Sequence, residues 1–99
     1  MPLDLEISDR AISDLEKIAV YIARQNRDSL VAEQFARHLL DRCAKLIDAS
    51  KMGSPYLERT GVRKINEGAY KILYRVTDRK VIVLRIWDGR RRRGPRALL

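Results

Sequence analysis

The residues of this sequence best suited to chemistry are arginines near its C-terminal end. From position 85 onward the chain carries one acidic residue, Asp88, and six arginines, so at least half of the net charge of +8 lies in this segment. The six are Arg85, Arg90, Arg91, Arg92, Arg93 and Arg96. A guanidinium presents paired N–H donors that match the oxygens of phosphates and carboxylates. The segment therefore predicts contact with a polyanion, such as nucleic acid or an acidic protein segment, rather than a merely solvated tail.

Groups for proton transfer, nucleophilic attack or metal binding are few. The one histidine, His38, and the one cysteine, Cys43, both fall in a predicted helix, remote in sequence from the arginines. We expect His38 to be structural or exposed and Cys43 to be a core residue. One His and one Cys do not supply the three or four ligands of a metal site, so neither a metal nor a cofactor is predicted.

The totals are those of one small basic domain. We expect residues 1–99 to form a single domain with a basic tail from about residue 89. The first residues do not read as a signal peptide, and no apolar run approaches the ~20 residues that span a bilayer. A single cysteine suits a reducing compartment. These features predict a cytoplasmic protein without a membrane partner.

Apolar residues recur at helical spacing in the first half of the chain. A short strand with Leu3, Leu5 and Ile7 on one face precedes Ser8, a helix-capping residue. Two amphipathic helices follow, one running to about residue 25 or 26 and one ending before Gly53 and Pro55. The inner face of the second helix is predicted to include Phe35, Leu39, Leu40, Cys43 and Leu46. Because the break between the helices is so short, they are predicted to form an antiparallel hairpin.

Three strands with short turns are predicted for the second half, at 62–65, 70–76 and 81–87. The order is β-α-α-β-β-β, an α+β fold with a helix hairpin packed on one face of a mostly antiparallel sheet. The predicted core is Leu5, Ile7, Leu15, Ile18, Ile22, Phe35, Leu39, Ile72, Tyr74, Ile82, Leu84 and Ile86.

Four segments in this order resemble the RelE/ParE toxin superfamily. They are SDLEKI at 13–18 with Tyr-Ile at 21–22, GVRKI at 61–65, YKILYRV at 70–76 and VIVLRIWDGRR at 81–91. The resemblance covers nearly the whole chain. It implies a type II toxin that is silenced by an acidic or amphipathic antitoxin, and whose target is either DNA gyrase, as for ParE, or mRNA on the ribosome, as for RelE.

For an RNA-cleaving member, the resemblance assigns the phosphate-clamping cations to Lys71 and Arg91, and Arg63 and Lys64 add charge from the neighbouring strand. Cleavage at a 2′-hydroxyl also needs a general base and a general acid. RelE-like nucleases generally carry a Tyr or His near the C-terminus, whereas here 94–99 reads GPRALL. Tyr70 and Tyr74 alternate with Lys71 along a strand and are predicted to face away from it. No catalytic residue is therefore assigned, and an enzyme is disfavoured.

The missing acid and base favour a ParE-like toxin that binds and inhibits gyrase. Its predicted contacts to partner or target are Arg63, Lys71, Arg85, Trp87, Arg90, Arg91, Arg92 and Arg93. Trp87 alternatively anchors the core or its rim. A RelE-like ribosome-dependent mRNA endonuclease, with Arg63, Lys71 and Arg91 at the scissile phosphate, remains the first alternative, and a non-toxic nucleic-acid-binding module the second. The expected partners are a cognate antitoxin, in a hetero-oligomer, and either gyrase or the ribosome with mRNA.

Overall fold

The computed structural model describes residues 3–56 and 61–90. Their helices and strands follow the predicted order, with one additional short strand. The elements are β1 (Asp4–Ile7), α1 (Asp9–Asn26), α2 (Ser29–Ala44), a 3₁₀ turn (Lys45–Ile47), β2 (Ser54–Pro55), β3 (Val62–Glu67), β4 (Tyr70–Val76) and β5 (Lys80–Asp88).

Short polar side chains start both helices, as their sequence positions suggest. The hydroxyl of Ser8 accepts from the backbone N–H of Ala11 at 3.1 Å, which caps α1. The carboxylate of Asp28 accepts from the N–H of Leu30 at 2.9 Å and caps α2. Between the helices Arg27 adopts a left-handed backbone conformation, φ 52°. This turn confirms the predicted hairpin, in which α1 packs on α2.

The described strands form one mixed sheet in the order β1-β5-β4-β3-β2. The pairs β2–β3, β3–β4 and β4–β5 are antiparallel, and β1 runs parallel to β5. This arrangement confirms the predicted α+β fold with a mostly antiparallel sheet. Because β5 lies between β1 and β4, it is an interior strand, which agrees with its nearly continuous apolar sequence.

The main core lies between the helices and one face of the sheet, here called the near face. Helix residues such as Leu15, Leu39 and Cys43 pack there on strand residues such as Ile72 and Tyr74. The partly buried residues that border this core include Ile18 and Phe35, both predicted core residues. The prediction for Leu40 is wrong, because its side chain is 40% exposed on the outside of α2.

A second, smaller apolar cluster occupies the opposite face of the sheet, here called the far face. It contains the buried residues Val62, Leu73 and Leu84, with Ile82 packed against them. The predicted core residue Leu84 is buried, but in this far-face cluster, and Ile82 is partly buried against it, whereas Ile86 lies in the main core. A β-bulge is the reason: Leu73 pairs with Arg85 whereas Tyr74 pairs with Val83, so Leu84 is an extra residue that reverses the alternation.

Two smaller differences complete the comparison with the predicted elements. Helix α2 ends at Ala44 and tightens into the 3₁₀ turn, well before Gly53. Strand β2 pairs with Lys64 and Arg63 of β3 and was not predicted, since two residues give no periodic signal. In the described part of the chain, no helix is long and apolar enough to cross a membrane.

Candidate functional site

Arg85, a predicted partner contact, is engaged inside the fold by Asp14 of α1. The guanidinium donates to both carboxylate oxygens, at 2.8 Å from Nε and 3.0 Å from Nη2. The backbone N–H of Ile86 donates to the same carboxylate at 2.9 Å. These hydrogen bonds are the first cause of the raised pKa of Arg85. Because its side chain is only 20% exposed, little of Arg85 remains available to a partner.

Arg63, another predicted contact, also bonds within the chain. Its Nη1 donates to the carbonyl of Gly53 at 2.6 Å and to that of Lys51 at 3.3 Å. Its register partner in β4 is Tyr74, whose hydroxyl donates to the carbonyl of Ser50 at 2.8 Å. Arg63 and Tyr74 therefore both hold the segment after α2 against the near face.

Lys71 lies on the far face, so the sheet separates it from Arg63. Side chains alternate along a strand, and Leu73, two residues on, belongs to the far-face cluster. The ammonium of Lys71 donates to Asn66 Oδ1 at 3.1 Å. The phosphate clamp predicted from Arg63 and Lys71 is thus not assembled by the described residues. The neighbour of Lys71 is instead Lys64.

The two lysine ammoniums lie close enough to affect each other. The pKa of Lys64 is lowered, first because burial disfavours its charge and second because the Lys71 ammonium repels it. Among the ion pairs of the described residues, none involves either lysine. Within 3–56 and 61–90, the pair is therefore a concentrated positive charge with no carboxylate in ion-pair contact.

Two aromatic side chains border this lysine pair. Trp87 is the register partner of Lys71 in β5 and packs on the far-face cluster, as the rim-anchor prediction has it. The ring of Tyr56 contacts Trp87 edge-on, with centroids 6.4 Å apart, and lies 5.8 Å from the Lys64 ammonium. We call Lys64, Asn66, Lys71, Tyr56 and Trp87 the far-face cation site.

Arg90 follows the end of β5 and turns back on Asp88. Its Nε and Nη2 donate to the Asp88 carboxylate at 2.9 and 2.7 Å, and these hydrogen bonds are the main cause of its raised pKa. The Arg90 side chain is 67% exposed, so it can still meet a partner. The predicted contacts Arg91, Arg92 and Arg93 lie outside the described residues.

The histidine and the cysteine both lie away from the far-face cation site. His38 Nε2 is 3.0 Å from Glu67 Oε2, and Arg42 Nε is 2.9 Å from Glu67 Oε1, which ties α2 to the end of β3. Cys43 is fully buried, and burial raises the pKa of its thiol to about 11. Among the described residues, no group of three His, Cys, Asp or Glu side chains is placed to hold a metal ion.

A groove of about 540 Å³ opens between the tip of the helix hairpin and the adjacent end of the sheet. Its lining includes Tyr21 of α1, Val31 and Phe35 of α2 and Tyr70 of β4, with Arg90 at the edge. Val31 and Tyr21 are 39% and 45% exposed, which is high for apolar side chains side by side. We call this feature the end groove. It has the shape and polarity to receive apolar side chains of a partner.

Comparison with known proteins identifies the family of this fold. The family model described as the ParE toxin of the type II toxin–antitoxin system parDE matches residues 5–93. The chain therefore belongs to the ParE toxin family, within the RelE/ParE superfamily that its sequence resembles. Comparison with curated proteins finds no significant match.

Solved structures of toxin–antitoxin complexes share the fold. A chain of the chromosomal ParDE system from P. aeruginosa superposes with a TM-score of 0.74 at 20% identity, over 85% of this chain and 92% of that one. A chain of the RelBE2 complex from Mycobacterium tuberculosis superposes with a TM-score of 0.57 at 23% identity, over 87% of this chain and 96% of that one. A chain of the E. coli DinJ-YafQ complex superposes with a TM-score of 0.52 at 17% identity, over 91% of this chain and 96% of that one.

Tyr56 was not among the predicted site residues, and Lys64 was predicted only as added charge beside Arg63. A signal for Lys64 exists in the sequence: a two-residue turn at Gly68 and Ala69 sets Asn66 opposite Lys71, so Lys64 shares its face. Nothing comparable marks Tyr56, which follows the short strand β2 and reaches the far face through the path of that segment.

Proposed function

We propose that this chain is the toxin of a type II pair that inhibits DNA gyrase by binding, without a catalytic cycle of its own, and meets gyrase in the cytoplasm. The observation that carries the proposal is the ParE family match over residues 5–93. Binding requires a complementary surface, whereas RNA cleavage requires an acid and a base beside the cations.

The positions of the proton-transfer groups support binding over cleavage. His38, the sole histidine, bonds to Glu67 on the near face. Tyr70 and Tyr74 are buried there and Tyr21 belongs to α1, so three of the four tyrosines are remote from the lysine pair. A gyrase inhibitor needs none of them.

Tyr56 is the observation that favours a second candidate, a ribosome-dependent mRNA endonuclease. Its ring lies 5.8 Å from the Lys64 ammonium, so its hydroxyl is the one phenol near the described far-face cations. In such an enzyme the Tyr56 phenol would take the proton of the 2′-hydroxyl or give one to the leaving oxygen. Lys64 and Lys71 would stabilise the negative charge of the phosphorane.

Brief expression in cells separates the two candidates. The gyrase inhibitor causes DNA breaks and altered plasmid supercoiling while mRNA stays intact. The matched variant Tyr56→Phe keeps the ring and removes the hydroxyl, so we expect it to be as toxic as the wild type. Cut mRNA with undamaged DNA, together with a fall of about 10²-fold or more in the rate of mRNA cleavage in Tyr56→Phe, would establish the nuclease instead.

A cognate antitoxin is the second part of the proposal. The end groove offers it an apolar site, and a net charge of +8 attracts an acidic chain. In this arrangement apolar antitoxin side chains fill the end groove beside Val31, and acidic ones approach Arg90. Two of the similar solved structures are toxin–antitoxin complexes and the third belongs to a toxin–antitoxin system, which supports a partner of this kind.

Two equally exposed apolar residues of α2 provide a matched test of antitoxin binding. Val31 lines the end groove and is 39% exposed, whereas Leu40, which does not line it, is 40% exposed. We expect Val31→Asp to weaken binding of the neighbouring gene product by about tenfold or more, while Leu40→Asp binds as the wild type does, measured by calorimetry. Equal losses in both variants, or none, would contradict this docking.

A further inference from the structure

The rim of the end groove displays basic side chains and covers the carboxylates that they contact. His38 and Glu67 both line the groove, and the side chain of His38 is 59% exposed whereas that of Glu67 is 26% exposed. Arg90 repeats the pattern with Asp88, at 67% and 13% exposed. A partner that enters the end groove therefore meets the basic member of each pair, which suits a partner that brings carboxylates.

Glu67 determines which nitrogen of the neutral His38 ring carries the hydrogen. His38 Nε2 lies 3.0 Å from Glu67 Oε2, and the pKa of Glu67 is lowered, first by this hydrogen bond. The carboxylate is therefore ionised at neutral pH and can only accept, so Nε2 carries the hydrogen and donates it. Nδ1 of the neutral ring is then an acceptor, and no residue within 3–56 and 61–90 forms a hydrogen bond with it.

Protonation changes what Nδ1 of His38 can bind. The neutral ring presents a lone pair at this nitrogen, which repels a carboxylate, whereas the imidazolium presents an N–H that donates to one. Histidine is the side chain that ordinarily changes its charge between about pH 5 and pH 8. Because His38 is the sole histidine of the chain and is mostly exposed, its protonation can respond to what occupies the end groove.

We propose that the imidazolium of His38 binds a carboxylate of the antitoxin through Nδ1, so that the toxin–antitoxin complex takes up a proton when it forms near neutral pH. The inference rests on the proposed docking of the antitoxin in the end groove, and it names the residue that recognises an acidic side chain there. Because the complex then binds more protons than its free components do, the affinity rises as the pH falls.

The charged groups around His38 favour an added carboxylate over an added cation. The titratable and charged groups that line a pocket with it come from every element packed against it: Tyr21 of α1, Asp41 and Arg42 of α2, Lys45 of the 3₁₀ turn, Glu67 of β3, Tyr70 of β4 and Arg90 after β5. Together with Asp88, which pairs with Arg90, these groups hold equal numbers of positive and negative charges at neutral pH. The imidazolium is thus the charge in excess, and a carboxylate of the partner neutralises it and stabilises the protonated form.

Calorimetry of the full chain with the purified neighbouring gene product measures this linkage. Titrations at pH 6, 7 and 8, each in two buffers of different ionisation enthalpy, give the affinity and the number of protons taken up. We expect the wild type to bind about fivefold or more tightly at pH 6 than at pH 8, and to take up about half a proton at pH 7. His38→Gln lacks the titrating group and should lose both effects. His38→Arg keeps a positive charge at every pH, so at pH 8 it should bind about as tightly as the wild type does at pH 6.

The variants make each outcome decisive. Titrating groups of the gene product act equally on the wild type and both His38 variants, and circular dichroism at each pH checks that the fold is retained. A wild-type affinity that is constant with pH or rises towards pH 8, or an equal pH dependence in His38→Gln, would overturn the proposal. If Val31→Asp abolishes binding while the wild type shows no pH dependence, the antitoxin occupies the end groove without using His38, so this inference fails and the proposed docking stands. A gene product that binds the wild type at no pH would contradict both.

Discussion

Replacing Asp14 by alanine is expected to destabilise the chain by about 3 kcal/mol. The substitution removes the carboxylate that accepts from Nε and Nη2 of Arg85, and it also removes the acceptor of the Ile86 N–H in an interior strand. Breaking a buried ion pair costs about 3–5 kcal/mol, and an unpaired buried N–H about 1–3 kcal/mol. These ranges add to about 4–8 kcal/mol. Because Arg85 is 20% exposed, water recovers part of this loss, and the expected cost falls below that sum.

Urea unfolding of a double-mutant cycle measures the interaction. The cycle compares Asp14→Ala, Arg85→Ala and the double variant, and we expect a coupling free energy of about 1.5–3 kcal/mol. Glu6→Ala is the matched control, since Glu6 and Lys80 form an exposed pair with side chains 51% and 45% exposed, which should contribute no more than ~0.5 kcal/mol. If Asp14→Ala costs no more than Glu6→Ala, the structural assignment of Arg85 is refuted.

Three further predictions concern side chains that connect the helices, the segment after α2 and the near face of the sheet. Tyr74→Phe should cost about 1–3 kcal/mol in urea unfolding, because it leaves the buried N–H of Gly53 without its acceptor, whereas an unchanged midpoint would contradict the role of that hydroxyl. Phe35→Ala should cost about 2–3 kcal/mol, less than the 3–5 of a fully buried Phe, because Phe35 only borders the core; an unchanged melting temperature would argue against its packing on Tyr70. The pKa of Glu67 is lowered, first by its hydrogen bond to His38. Its contribution to the free energy of unfolding is therefore present above about pH 4.3 and disappears as the pH falls through the pKa of the folded state. Glu67→Gln should therefore melt below the wild type at pH 7, the difference should shrink as the pH falls below about 4.3, and a difference that stays constant with pH would exclude this linkage.

Local patterns predicted the elements because each element has a periodic or capping signal. Ser8 marked the start of the first helix, and alternating apolar residues marked the strands. The bulge at Leu84 has no such signal, since it depends on how β5 pairs with β4. Because of the bulge, Ile82 and Leu84 lie on the far face while Ile86 lies on the near face. A one-residue change of alternation exchanges the faces of every residue beyond it.

The candidate site was harder to predict because it depends on faces rather than residue types. Arg63 and Lys71 have the right chemistry for a clamp, yet the sheet separates them. Counting back from the turn at Gly68 would have paired Lys64 with Lys71. The contact of Asp14 with Arg85 joins residues 71 positions apart, and no local pattern indicates it.

The most direct test of the proposed function is a reaction of purified components. Supercoiling and DNA cleavage by gyrase are measured with the chain added, beside translating ribosomes with a labelled mRNA. The account predicts inhibited supercoiling and accumulated cleaved DNA, equal for the wild type and Tyr56→Phe, with the mRNA intact. Unaffected gyrase, together with ribosome-dependent mRNA cuts that Tyr56→Phe abolishes, would contradict it.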